Sequence, residues 1–200
     1  AEKHPGQLRR VAPNGQVGPP LAGLPEIYGE GNGGLLGLAL DPDFASNGLV
    51  YVAFSEPGDG PTAGLSVARA ALHEDHLAGV EVIFRQQPKV WDDRNFGGRL
   101  VFAPDGRLFV LTGDRFAHDL VQATDNTIGV VARIEPDGTI PDDNPFVGQE
   151  GFDPAIWTLG HRNIGGGAFD PATGRFWLHE FGPYGGDELN LVEPGQNYGW

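Results

Sequence analysis

The chain has 200 residues, 40% of them apolar, and its 27 acidic and 13 basic side chains leave a formal net charge of −14. That length can bury one core or two, while the negative balance argues against nucleic acid, whose phosphates it would repel. With no cysteine, disulfides and thiolate chemistry are excluded, and no apolar run approaches the roughly 18 residues of a membrane-spanning helix.

Thirty-two glycines and 17 prolines punctuate short apolar runs without forming a low-complexity tract. This pattern predicts an all-β chain with many turns. In chain order, "GLLGLALDPDFASNGLVYVAFSE" from Gly34 places two strands around an Asp-Pro turn. "LSVARAAL" and "VEVIFRQ" follow as single strands. "GGRLVFAPDGRLFVLTGD" from Gly97 repeats the hairpin, "VVARIEPDG" adds a strand, and "GGGAFDPATGRFWLHEFG" from Gly165 repeats the hairpin again. The turn prolines Pro42, Pro104 and Pro171 lie 62 and 67 residues apart.

Four short strands per unit of about 40 to 60 residues describe a β-propeller blade. A β-sandwich also holds many short strands, but it does not predict the recurring period. No window keeps apolar residues at helical spacing for three turns, so helix is expected to be scarce. At about 60 residues a blade, the chain covers three to four blades, fewer than or at the low end of a closed ring. The expectation is a single propeller domain incomplete at both ends, the alternative being a small closed ring. The start at Ala1, the lack of methionine and the final "GQNYGW" point the same way, to a processed or excised segment. An open arc would expose strand edges and invite self-association. No G-x-S-x-G elbow, H-E-x-x-H pair, P-loop or G-x-G-x-x-G after a strand supports hydrolase, zinc-protease or nucleotide chemistry.

"GGLLGLALDPDF", "FGGRLVF", "TGD", "DNPFVG", "IWTLGHRN" and "NYGW" occur in this order from end to end. In that succession the chain resembles the soluble quinoprotein sugar dehydrogenases, the glucose/sorbosone dehydrogenase family, and in particular its bacterial aldose sugar dehydrogenases. The resemblance implies a six-bladed propeller of greater length and pyrroloquinoline quinone (PQQ) held with Ca²⁺. It also implies oxidation of an aldose C1 hydroxyl to a lactone, an artificial or protein electron acceptor, and a periplasmic or secreted location. Such chemistry needs a base for the hydroxyl proton, a carboxylate to orient it, and donors for the reduced quinone. It also needs a cation to polarise the quinone.

The family base is a histidine directly before the "FGGRL" strand; here the position is Asn95. An amide has no useful basicity, and losing a general base typically costs 10² to 10⁴-fold in rate. Asp114, the orienting carboxylate, is kept. Asn32 and Gly165 stand where the family carries glutamines, Phe181 where it carries histidine or glutamine, and Tyr184 where the aldose enzymes often carry arginine. These departures concentrated in one site suggest that it was emptied or reshaped on a retained scaffold.

Arg162 and Asn163 match the pair set against the quinone's oxygens and carboxylates, a role suited to a guanidinium fork; an arginine paired to an acidic neighbour is the alternative. Gly182 and Pro183 match the backbone ligands of the cofactor's calcium, or form a simple turn. Glu188 and the backbone of Tyr198 match a second calcium site, or a solvated acidic loop. His161 reads as a core hydrogen-bonding residue, Asp92, Asp93, Asp142 and Asp143 as loop carboxylates, and the four tryptophans and 12 phenylalanines as inter-blade packing. The leading reading is a PQQ-dependent sugar oxidoreductase, impaired at its base. Its rivals are a non-catalytic scaffold or binding module and a calcium-dependent lactonase-type propeller, which needs acids converging on the central channel.

Overall fold

The computed structural model describes residues 1–200 and contains 13 strands and two single-turn helices, α1 (Phe44–Asn47) and α2 (His118–Val121). A two-stranded ribbon, β1 (Arg9–Val11) and β2 (Val17–Pro20), precedes three antiparallel sheets. The first sheet runs β3 (Leu35–Leu40), β4 (Leu49–Pro57), β5 (Ala63–Leu72), β6 (Leu77–Arg85). The second runs β7 (Gly97–Phe102), β8 (Leu108–Thr112), β9 (Val130–Ile134), β10 (Ile156–Leu159). The third has three strands, β11 (Ile164–Phe169), β12 (Phe176–Glu180) and β13 (Glu188–Leu191). Every sheet is built from consecutive strands, the plan of a propeller blade. The first strands of the sheets begin 62 and 67 residues apart, the same intervals as the turn prolines.

Strand periodicity explains how the blades stack. Successive side chains point to opposite faces of a sheet, so a blade with neighbours on both sides is apolar at every position. In β4, Tyr51 and Ala53 pack toward the second sheet, in one cluster with Val110 and Ala132. Val50, Val52 and Phe54 pack the other way, with Leu8 and Leu21 from the N-terminal segment. In β8, Leu108 and Val110 face the first sheet, while Phe109 and Leu111 face Phe176 and Leu178 of the third. The middle sheet is thus a slab between two cores.

Polar links then fix one blade to the next. Gln86, wholly buried, accepts from the Leu65 N–H at 3.3 Å and donates from Nε2 to the carbonyls of Gly113 (3.0 Å) and Thr127 (3.2 Å). Arg99, at the start of β7, donates from Nη1 to the Leu36 carbonyl (2.6 Å) and from Nε to the Gly165 carbonyl (2.9 Å). One side chain therefore ties the inner strands of all three sheets. The inner strands approach closely enough to require glycine. A Cβ on Gly37 would collide with the Gly98 carbonyl oxygen, and Gly98, at φ 96°, has Leu36 against it.

Candidate functional site

The residues singled out in the sequence come together where the inner ends of the blades meet. Gly113 and Asn163 form an isolated antiparallel bridge between the second and third sheets. The Asp114 N–H donates to the Arg162 carbonyl at 2.7 Å, and the Arg115 N–H to the Asn95 carbonyl at 3.3 Å. These bonds draw Asn95, Asp114, Arg162 and Asn163 to one rim, although 68 residues separate the first from the last.

Asp114 is fully buried and Asn95 nearly so. Asn95 Nδ2 donates to Asp114 Oδ1 at 3.0 Å, and the same oxygen accepts the Phe116 N–H at 3.0 Å. The other oxygen accepts from the indole of Trp200 at 2.8 Å, with His118 Nε2 3.8 Å away. Asp114 thus has a full set of partners, and one of them is the amide of Asn95. Asn95 sits at φ 46°, in the left-handed region, followed across the site by Arg115 at 50° and Phe116 at 54°. Non-glycine residues reach this region readily only when they are asparagine or aspartate, so Arg115 and Phe116 carry strain that their surroundings must offset.

Arg115 supplies part of that compensation. Wholly buried, it donates to the carbonyls of Arg94 (2.9 Å), Ala63 (2.7 Å) and Asp92, and lies 3.4 Å over the Phe96 ring. It grips the segment that carries Asn95. Burial pulls its pKa down to about 10, because desolvation disfavours the charged form.

Two adjoining cavities open at the rim. The larger, about 540 Å³, is lined in part by Asn32, Asn95, Asn163, Gly165 and Phe181. All four of Asn32, Asn95, Gly165 and Phe181, which depart from the family pattern, therefore share one space. The departures at 165 and 181 are sterically linked: a Cβ on Gly165 would run into the rings of His179 and Phe181, which stand edge-to-face at 5.8 Å. Tyr184, the fifth departure, is fully exposed and lines neither cavity.

The smaller cavity, about 240 Å³, gathers Arg162, Glu180, Phe181, Gly182, Pro183, Glu188, Tyr198 and Trp200. Arg162 Nη1 donates to the carbonyls of Phe181 (2.7 Å) and, weakly, Gly182 (3.4 Å). Its Nε is buried and has no partner, and a buried nitrogen left unpaired is costly. No group of three acid or histidine side chains is placed so that it could hold a metal ion. Glu188 accepts from Asn190 at 2.9 Å. The protein alone thus offers too few free oxygens for the six to eight that calcium takes.

Of the other residues, His161 is a core hydrogen-bonding residue as expected, with Nε2 2.9 Å from Thr158 Oγ1 and Nδ1 2.9 Å from Glu180 Oε1. Asp143 and Asp92 pair with Arg133 and Arg94. Phe109, Phe169 and Phe176 pack between blades, but Trp200 belongs to the site and Trp91 is exposed. The sequence did not flag Gln86, Arg99, Arg115, Glu180 or Trp200. Arg99, inside "FGGRL", Arg115, directly after "TGD", and Trp200, the end of "NYGW", stood in or beside a recognised motif.

A family profile described as Glucose / Sorbosone dehydrogenase matches residues 1–200. The chain is 40% identical over 197 residues to the aldose sugar dehydrogenase YliI of Escherichia coli (strain K12), covering 98% of this chain and 53% of that protein. A solved glucose dehydrogenase superposes with a TM-score of 0.95 at 45% identity, covering 98% of this chain and 58% of that one. The PQQ-bound aldose sugar dehydrogenase of Streptomyces coelicolor gives a TM-score of 0.86 at 34% identity, covering 98% and 56%. The chain spans about half the length of these proteins. With every stretch of the sequence matched and the blades superposing, the chain belongs to the glucose/sorbosone dehydrogenase family of β-propeller proteins.

Proposed function

We propose that this chain forms the cofactor-facing part of a PQQ-dependent oxidoreductase that oxidises the C1 hydroxyl of aldose sugars, with its proton-transfer step impaired. The observation that carries the reading is Arg162, which lines the smaller cavity with its Nε unpaired, directly before Asn163, which lines the larger one. A guanidinium with an unspent donor suits the carboxylates and carbonyls of a planar tricarboxylate. The chemistry that PQQ supplies when bound is acceptance of a hydride from a sugar carbon. Arg162 and Asn163 hold such a ligand and orient it. The cofactor's calcium would draw on the carbonyls of Gly182 and Pro183 and would need further oxygens from the ligand itself, while Glu188 and the Tyr198 backbone would serve a second, structural calcium.

The proton is where this chain departs. Asn95 can hold a sugar hydroxyl in place by hydrogen bonding, but it cannot take its proton. Asp114 is a carboxylate, yet it is buried and already accepts three hydrogen bonds. Asn Nδ2 and His Nδ1 stand the same number of bonds from the backbone. In Asn95→His the ring Nδ1–H would therefore take the 3.0 Å bond to Asp114 and turn Nε2 toward the cavity. Dye-linked aldose oxidation by PQQ- and calcium-loaded Asn95→His should exceed that of the unmodified chain by roughly 10²-fold or more. No gain, with PQQ still binding, would favour the second reading, a non-catalytic propeller that retains the scaffold; the amide at position 95 is the observation on its side. The periplasmic or secreted location and the artificial or protein electron acceptor rest on family membership alone.

A further inference from the structure

Resting on the reading of the chain as a sugar oxidoreductase, we propose that a third cavity on the same rim is a saccharide subsite. It would hold the outward units of an oligosaccharide whose reducing end reaches the Asn95 cavity. The space measures about 440 Å³ and is lined by Tyr28, Glu30, Trp91, Asp92, Asp93 and Arg94.

Continuity is the first argument. The two segments that wall this cavity, 28–30 and 91–94, run on directly into Asn32 and into Asn95–Gly97, which line the larger cavity. They are bonded to each other: the Asn32 N–H donates to the Asp93 carbonyl at 2.7 Å, and the Asn95 N–H reaches Asn32 Oδ1 at 3.4 Å. A chain molecule lying along this seam would touch both spaces.

The lining is the second. Trp91 is 74% exposed, and its indole N–H has no partner, unlike that of Trp200. A flat aromatic face left in water beside polar groups complements the C–H face of a pyranose, through apolar contact and weak C–H interactions. Around it stand hydrogen-bonding groups of the kind hydroxyls need. Glu30 and Asp93 make no ion pair and no side-chain hydrogen bond, so their oxygens are free to accept. Asp93 is held in place because its carboxylate packs on Gly31, where a Cβ would collide with it. Arg94 is fixed as a donor, paired to Asp92 at 2.6 Å and lying 3.6 Å over the Phe116 ring. Three carboxylates against one guanidinium disfavour an anionic ligand and leave a neutral polyhydroxyl one.

The test is binding, read by tryptophan fluorescence and by calorimetry on the full chain, with maltotetraose, cellotetraose and glucose as probes. At least one tetrasaccharide should bind about tenfold or more tightly than glucose and change the emission. Trp91→Ala, at an exposed position, should remove both the preference and the spectral change while circular dichroism stays unaltered. Asp93→Asn should weaken the tetrasaccharide alone. No tetrasaccharide binding, equal affinity for tetrasaccharide and glucose, or a preference that survives Trp91→Ala would overturn the proposal. A parallel PQQ titration separates the two ideas. If PQQ fails to bind but the Trp91-dependent preference stands, the oxidoreductase reading falls and the subsite remains.

Discussion

Arg115 shows how much of this site depends on a residue that carries no chemistry. Its donors serve three backbone carbonyls, and truncation would leave those acceptors buried and unpaired, at about 1–3 kcal/mol each where water cannot reach them. Arg115→Met should therefore lose at least about 2 kcal/mol, seen as a fall in the urea midpoint with an unchanged slope. A midpoint within error of the parent would mean that the segment around Asn95 is held by other contacts. A second prediction concerns the linked pair at 165 and 181. Gly165→Gln alone should destabilise, since the new side chain meets two rings, whereas Gly165→Gln with Phe181→Gln should recover part of the loss. The expected coupling is of the order of 0.5–3 kcal/mol, and strictly additive effects would show that the two departures arose separately. Asn95 and Asp114 were legible in the sequence because a motif fixes each of them. Arg115 was not, because an arginine in a single sequence reads as exposed and nothing marks the carbonyls that will surround it.

At the scale of the strands, the sequence was most informative. The turn prolines predicted the hairpins β3–β4, β7–β8 and β11–β12, and their spacing predicted the blade. What it could not show was the distance between blades, which depends on residues with no side chain. Gly98→Ala would add a Cβ against Leu36 at φ 96°, combining overpacking with left-handed strain. A loss of about 2–4 kcal/mol is expected, measurable as a lower melting temperature. Glu180, at the end of β12, governs the response to acid. Burial alone would raise its pKa. The hydrogen bond and charge of His161, the Arg162 N–H and Asn190 outweigh that and hold the carboxyl below its ordinary value of 4.5. A carboxylate with a depressed folded-state pKa contributes stability above its unfolded value and loses it as the pH falls through the folded one. The melting temperature should therefore be flat above about pH 5 and drop below about pH 4.5. In Glu180→Gln the plateau should be lower and the drop shallower; an identical acid limb in the variant would assign it to other carboxylates.

At the scale of the whole molecule, composition predicted the all-β class, and the period predicted the propeller. It did not predict the N-terminal ribbon, whose flanking residues Leu8 and Leu21 pack against the first blade without any blade-like pattern. Leu38 and Leu40 on β3 and Leu189 on β13 are exposed apolar side chains, and exposed apolar patches associate. Light scattering should give a mass that rises with concentration, and Leu189→Lys should lower it; a constant monomer mass would remove the prediction.

The contiguity of each sheet has a mechanical consequence. No named strand is exchanged between sheets, but tension applied at the two chain ends first meets two clasps: the segment at Ala22 is bridged to His76, and the segment at Asn197 is bridged to Leu159 of β10. Once these give way, each sheet can peel away as its contacts with the neighbour fail, among them those of Gln86 and Arg99 and the shared cores. Pulled in an optical trap, the chain would lengthen in separate rips, each releasing about 3.5 Å of contour per freed residue. The force at each rip would then weigh one interface between blades.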